Sequence, residues 1–221
     1  MPRESLASKR SRAEAVLGRL APLYPGGGEA LLDYSSPFTL LIAVLLSAQT
    51  TDAAVNKITP ELFRRWPDAQ ALASANPGEV ATVIRSIGFY NTKSKNSVLC
   101  AQKLLTDFGG EVPRTMEELI SLPGVGRKTA NIVLNTAFGN AVGIAVDTHV
   151  FRIAKRLKWS AAPDPSKTET DLLKVVPEEY WSMVNRSLVL FGREYCRARS
   201  PRCGECPVSD LCPSIELAMG Q

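Results

Sequence analysis

Residues 122–131 read LPGVGRKTAN: two glycines around Val125, then Arg127 and Lys128. A phosphate-binding loop of the form Gly-x-x-x-x-Gly-Lys-Ser/Thr needs a strand before it and a glycine directly before the lysine. Arg127 occupies that place, Leu122 stands where the leading glycine belongs, and the preceding TMEELISL has helical character. The nucleoside-triphosphate reading fails on both counts. What remains is a glycine turn followed by a lysine, and the rest of the chain decides which chemistry uses it.

Outward from this turn the punctuation stays helical. Val16, Leu17, Leu20 and Leu23 form an apolar stripe on an N-terminal helix that stops at Pro25-Gly26-Gly27-Gly28. Ser36-Pro37 opens a helix running to about Gln49. Its FTLLIAVLLSA core falls well short of the roughly 20 apolar residues of a membrane span and reads as buried. Further starts stand at Asp52, at Asn76-Pro77 with Glu79 behind it, at Thr115 with Glu118 three later, and at Ser166 with Glu169 three later; stops come at Gly88, Gly109-Gly110 and Gly139. No segment sustains a strand alternation, so the pattern predicts an all-α protein of about ten helices. No polar linker divides it. The softest point is Gly139–Gly143, which predicts two lobes, with a cleft between them near LPGVG and Asp147.

The 221 residues hold 26 Lys and Arg against 22 Asp and Glu, a net charge of +4, which permits an anionic partner without demanding one. The distribution is more informative. Arg193, Arg197, Arg199 and Arg202 are accompanied by Glu194 alone, and Arg152, Lys155, Arg156 and Lys158 have no acid among them. Each patch reads as a set of phosphate contacts or as a solvated face. The opening 20 residues are polar and charged, without a secretory pattern, which predicts a cytoplasmic protein.

Four of the five cysteines fall in CRARSPRCGECPVSDLC, spaced Cys196-x6-Cys203-x2-Cys206-x5-Cys212. In a cytosolic chain such a group points to a metal rather than to disulfides. Four thiolates suit zinc or a [4Fe–4S] cluster. Zinc ribbons usually pair two Cys-x2-Cys knuckles, and one is present here, which favours the cluster. Arg197, Arg199 and Arg202 lie between the first two ligands, so the metal would pin a cationic loop suited to a phosphate backbone. Cys100, in VLCAQKLL, reads as a buried small hydrophobe.

LPGVGRKTAN, then VDTH at Val146–His149, then the cysteine ladder, with SSPFTLLIAVLLSAQTTD at Ser35–Asp52, resembles the endonuclease III family of helix-hairpin-helix DNA glycosylases over nearly the whole chain. The resemblance implies a six-helix barrel over 31–142 containing the helix-hairpin-helix, and a second helical lobe of 1–30 with 143–221 carrying a [4Fe–4S] cluster. The two lobes would flank a DNA-binding cleft. It places hairpin helices at Thr115–Leu122 and from Val125 to about Ala137. Gly124, Val125 and Gly126 would then let backbone amides approach a DNA phosphate at a helix N-terminus.

For the site, the resemblance implies that Lys128 is the nucleophile. Its amine attacks the sugar carbon bearing a damaged base, expels the base and leaves a Schiff base, after which β-elimination breaks the strand. An amine must be neutral to attack, and a lysine of ordinary pKa, about 10.4, is neutral in roughly one molecule in 2,500 at pH 7. The helix dipole and Arg127 work against its charge, and the DNA phosphates favour it. Without the resemblance Lys128 reads as a phosphate contact.

Asp147 by itself reads as an N-cap. The resemblance makes it the catalytic carboxylate, stabilising positive charge on the sugar or taking a proton from Lys128. His149, the only histidine, reads as structural or DNA-facing. The loop NAVGIA before VDTH is one residue longer than the family pattern and lacks its usual proline.

Extruding a base leaves a hole in the duplex. The resemblance fills it with Gln49 and Phe89, the latter where leucine is more usual; Phe89 reads equally as a core aromatic at a turn. Arg197 and Arg199 complete the expected DNA contacts. The expectation is a monomeric repair enzyme, associated with the nucleoid, acting on oxidised pyrimidines in damaged double-stranded DNA. Two alternatives stand beside it: an adenine-removing glycosylase of the same superfamily, which usually lacks the lysine and has a further C-terminal domain, and a non-catalytic DNA-binding iron–sulfur protein.

Overall fold

The computed structural model describes residues 4–26 and 31–215. Among them are eleven α-helices, three short 3-10 turns and no strand. None of these helices is long and apolar enough to cross a membrane. The chain divides into two compact units, Ala30–Gly139 and Met1–Glu29 with Asn140–Gln221.

The first unit holds α2 (Pro37–Leu46), α3 (Asp52–Arg65), α4 (Ala69–Ala73), α5 (Pro77–Ile84), α6 (Tyr90–Phe108), α7 (Met116–Ile120) and α8 (Arg127–Phe138). Helix α2 is its axis. Every residue from Phe38 to Leu46 is buried, as expected of a helix that is apolar all round. A capping box fixes its start: Ser36 Oγ accepts the Thr39 amide, Thr39 Oγ1 accepts the Ser36 amide, and Pro37 occupies the first turn. The helix ends at Leu46, three residues before the expected Gln49, because Ser47 Oγ turns back to donate to Val44 O and Gln49 takes a left-handed backbone.

Against α2 pack Ala130, Val133 and Leu134 of α8, and Val98, Ala101 and Leu104 of α6. Fully burying a large aliphatic side chain contributes about 1.5–3 kcal/mol. Cys100 joins this core fully buried, its thiol pushed up to about 12 by that burial, so it behaves as an inert small hydrophobe. Gly109 and Gly139 close α6 and α8 in left-handed caps.

The second unit comprises α1 (Leu6–Leu20), α9 (Thr148–Arg156), α10 (Pro165–Val175), α11 (Trp181–Glu194) and the 3-10 turns at Glu178–Tyr180, Cys203–Glu205 and Ser209–Leu211. Its core gathers Val16, Leu17 and Leu20, Val150 and Ile153, Leu172, and Leu188 and Phe191. Helix α1 ends at Leu20; of the stop expected at Pro25–Gly28, Gly27 and Gly28 lie outside the described residues. Helix α10 starts at Pro165, one residue before Ser166, and its cap lies two residues before Ser166. Asp164 is its cap, accepting the Lys167 amide, and Pro165 follows. Glu169, expected to complete a capping box, is buried instead. Helix α3 starts at Asp52 as expected, with Thr51 as its cap.

Candidate functional site

The turn between α7 and α8 is built from residues 121–126. Thr115 caps α7, accepting the Glu118 amide and donating to the Glu118 carboxylate. The Val125 amide closes the turn on Leu122 O, and Leu122 and Val125 are both buried. Both helices are shorter than expected: α7 ends at Ile120, and α8 begins at Arg127 because Val125 anchors the turn.

The two glycines have different reasons to be there. Gly124 has φ +80°, and a Cβ on it would stand 3.0 Å from Asn96 Cβ and 3.1 Å from Leu45 Cδ1. Backbone and packing therefore both require glycine. Gly126 caps α8 at φ −97°, a conformation open to any residue, and a Cβ there would meet nothing within 4 Å. We expect Gly124→Ala to cost about 2 kcal/mol or more and Gly126→Ala to stay within about 1 kcal/mol; chemical denaturation of the two variants checks this. The fold explains Gly124 and leaves Gly126 to another purpose. With no side chain to cap α8, Gly126 leaves the helix N-terminus bare, the arrangement that binds anions. Lys128 is the second residue of α8 and is exposed.

Asp147 is the N-cap of α9. Its Oδ1 accepts the amides of His149 at 2.9 Å and Val150 at 2.8 Å, while Oδ2 lies 3.3 Å from His149 Nδ1. One carboxylate oxygen thus serves the helix, and the other faces the imidazole. The NAVGIA loop is exposed at Asn140 and Val142 and buried from Gly143 to Val146. Asn185 Nδ2 donates to Ala145 O at 2.7 Å, which anchors the approach to Asp147. Gly192, inside α11, makes room for the far side of the imidazole. A Cβ there would meet His149 Cδ2 and Arg152 Nη2 at 3.0 Å. Sequence reasoning passed over Gly192, although a glycine inside an amphipathic helix costs about 1 kcal/mol and signals a packing reason.

Gln49 and Phe89 share an unusual backbone. Both are left-handed, at φ 52° and φ 58°, and both are exposed, Phe89 by 65%. Phe89 is therefore no core aromatic. Left-handed non-glycine residues cost on the order of 1–2 kcal/mol and concentrate at functional sites. Lys93, one turn into α6 and 5% exposed, was also missed by sequence reasoning, because nothing in the order of residues marks a lysine as buried.

All four ladder cysteines, Cys196, Cys203, Cys206 and Cys212, line one cavity of about 830 Å³, and none is in a disulfide. Burial, reinforced by the neighbouring thiols, pushes the Cys206 and Cys212 thiols up, a cost that bonding to a cationic metal centre reverses. Among the described residues no three thiol, imidazole or carboxyl groups stand close enough to hold one metal ion. Arg156 secures the loop between the first two cysteines, donating to Cys196 Sγ, Arg197 O and Ala198 O. Arg197 and Arg199 are exposed on that loop, whereas Arg202 is paired with Glu205.

Residues 42–178 match the family model described as HhH-GPD superfamily base excision DNA repair protein. Endonuclease III of Synechocystis sp. is 48% identical over 213 residues, covering 96% of this chain and 97% of that protein. The chain belongs to the endonuclease III family. Endonuclease III of Escherichia coli (strain K12) is 49% identical over 181 residues, covering 82% of this chain and 85% of that protein. A trapped endonuclease III–DNA covalent intermediate, an estranged-adenine complex, superposes with a TM-score of 0.88 at 41% identity, covering 95% of this chain and 98% of that one. Residues 196–212 match the iron–sulfur binding domain of endonuclease III, a span that begins and ends on ladder cysteines. Like its family, the chain is a DNA-binding base excision repair enzyme, a glycosylase and abasic-site lyase, with a [4Fe–4S] cluster.

Proposed function

We propose that this endonuclease III family member excises oxidised pyrimidines from double-stranded DNA through Lys128. The observation that carries the reading is an exposed lysine in the first turn of α8, two residues after a Gly126 that the fold does not require. The lysine amine attacks the sugar carbon, the base leaves, and the resulting Schiff base acidifies the adjacent sugar carbon, so that β-elimination breaks the strand on the 3′ side. Asp147 stabilises positive charge on the sugar or takes a proton from Lys128. The amides behind Gly124, Val125 and Gly126 hold a phosphate, and Arg197 and Arg199 contact the backbone. Gln49 and Phe89 fill the hole left by the extruded base.

Cys196, Cys203, Cys206 and Cys212 would hold the cluster, which supplies a cationic centre that fixes the Arg197–Arg202 loop. Residues 31–142 form the barrel domain with the hairpin, and the flanking segments form the cluster domain. The enzyme works as a monomer in the cytoplasm, on the nucleoid.

The test is base release and nicking on one duplex carrying an oxidised pyrimidine and another carrying a mispaired adenine. The first is processed and the second is not; preference for adenine contradicts the reading. Gly126→Ala, folded as native, weakens duplex binding at least about tenfold at moderate salt, because a methyl group holds the phosphate off the amides. Unchanged affinity would remove the phosphate from this corner. Protein purified without oxygen is brown and contains about four irons per chain. Cys203→Ser loses them and binds duplex more weakly; a colourless preparation with stoichiometric zinc contradicts the ligand assignment.

A further inference from the structure

Lys93 presents a buried ammonium that the chemistry above does not use. Its Nζ donates to Thr50 Oγ1 at 2.7 Å, and the Thr50 hydroxyl lies 3.4 Å from Ala48 O. The lysine side chain therefore grips the turn between α2 and α3, the one that carries Gln49. The Lys93 amide donates to Phe89 O at 3.0 Å, within the left-handed start of α6. The Lys93 side chain is thus bonded to the turn of Gln49, while its backbone belongs to the first helical turn after Phe89.

Burying a charge carries a desolvation penalty, and that burial lowers the Lys93 pKa. A methionine would fill the same space without the penalty, so packing does not account for the cation. Strained left-handed residues persist where their surroundings over-determine them. The Lys93 side chain is placed to hold the Gln49 turn at a set distance from the start of α6, which carries Phe89.

We propose that Lys93 is a positioning residue that fixes the separation of Gln49 and Phe89, so that extrusion of a base from duplex DNA depends on it. The proposal rests on the reading of Gln49 and Phe89 as the hole-filling side chains. An abasic site in single-stranded DNA requires no base to be extruded and leaves no hole, so it reports on the elimination chemistry alone.

The experiment compares the purified full chain with Lys93→Met, Thr50→Val and the double variant. Each is assayed for kcat/KM of base release from an oxidised-pyrimidine duplex and of elimination at a single-stranded abasic site. Fluorescence of a 2-aminopurine opposite the lesion reports unstacking. Lys93→Met is expected to lower the duplex to single-strand ratio about tenfold, the scale of a small misplacement, and to reduce the 2-aminopurine signal. Thr50→Val does the same, and the double variant adds nothing further. An unchanged ratio overturns the proposal, as does a loss shared equally by both substrates together with a lowered Tm, which marks a purely structural lysine. Should Lys93→Met fail to fold, Thr50→Val decides by the same ratio. Gln49→Ala and Phe89→Ala separate the two levels. If they leave the ratio unchanged, the hole-filling reading fails; if they lower it while Lys93→Met does not, the failure is confined to Lys93.

Discussion

Lys128→Ala is expected to yield a folded protein that releases no base and cuts no strand, with kcat reduced by roughly four orders of magnitude or more, the scale of losing a covalent nucleophile. The stability expectation runs the other way. Lys128 is exposed in the first turn of α8, where the helix dipole opposes a cation, and alanine is the better helix former. The variant is therefore as stable as the native protein or more so, by up to about 1 kcal/mol. A lysine that served only as a phosphate contact gives another pattern. Losing one such contact weakens duplex binding modestly and flattens its salt dependence by about one unit, while bound substrate is still cleaved. Single-turnover cleavage and chemical denaturation of the same preparation distinguish the two.

The second large effect concerns Asp147, whose two roles can be separated by substitution. Asparagine caps a helix about as well as aspartate, and its side-chain oxygen can accept the His149 and Val150 amides that Asp147 Oδ1 now accepts. Asp147→Asn therefore keeps the fold within about 0.5 kcal/mol while losing the charge. Activity is expected to fall by roughly two to four orders of magnitude, the range for a positioned acid or base. Asp147→Ala falls as far in activity and in addition loses about 1 kcal/mol of stability with the cap. If Asp147 is a cap and nothing else, Asp147→Asn retains full activity.

Much of this arrangement is legible in the residues, because helix starts are written in side chains that bond to nearby amides. Ser36, Asn76 and Thr115 each cap the helix they announce. Where sequence and structure differ, two local signals compete. At α10 the Ser166-to-Glu169 spacing looked like a capping box, but Asp164-Pro165 upstream is the cap, and Glu169 faces inward. At α2 the apolar pattern extends past the helix, since periodicity does not register Gln49 turning left-handed.

The site divides along the same line. The spacing of the four cysteines is a sequence property, and in the fold they line one cavity. The contrast between Gly124 and Gly126 is not legible, because it depends on Asn96 and Leu45, far along the chain. Nor is the exposure of Phe89, which the sequence left balanced between core and surface. Lys93 is hidden for the same reason: its role depends on Thr50, 43 residues away in the chain.

The chemistry proposed for this enzyme requires a Schiff base at Lys128. Borohydride reduction during turnover on an abasic-site duplex, followed by proteolysis and mass mapping, is expected to give a covalent protein–DNA adduct on the peptide carrying Lys128, and no adduct from Lys128→Ala. An adduct mapped to another amine, or a native protein that cuts the strand yet traps nothing, would contradict it.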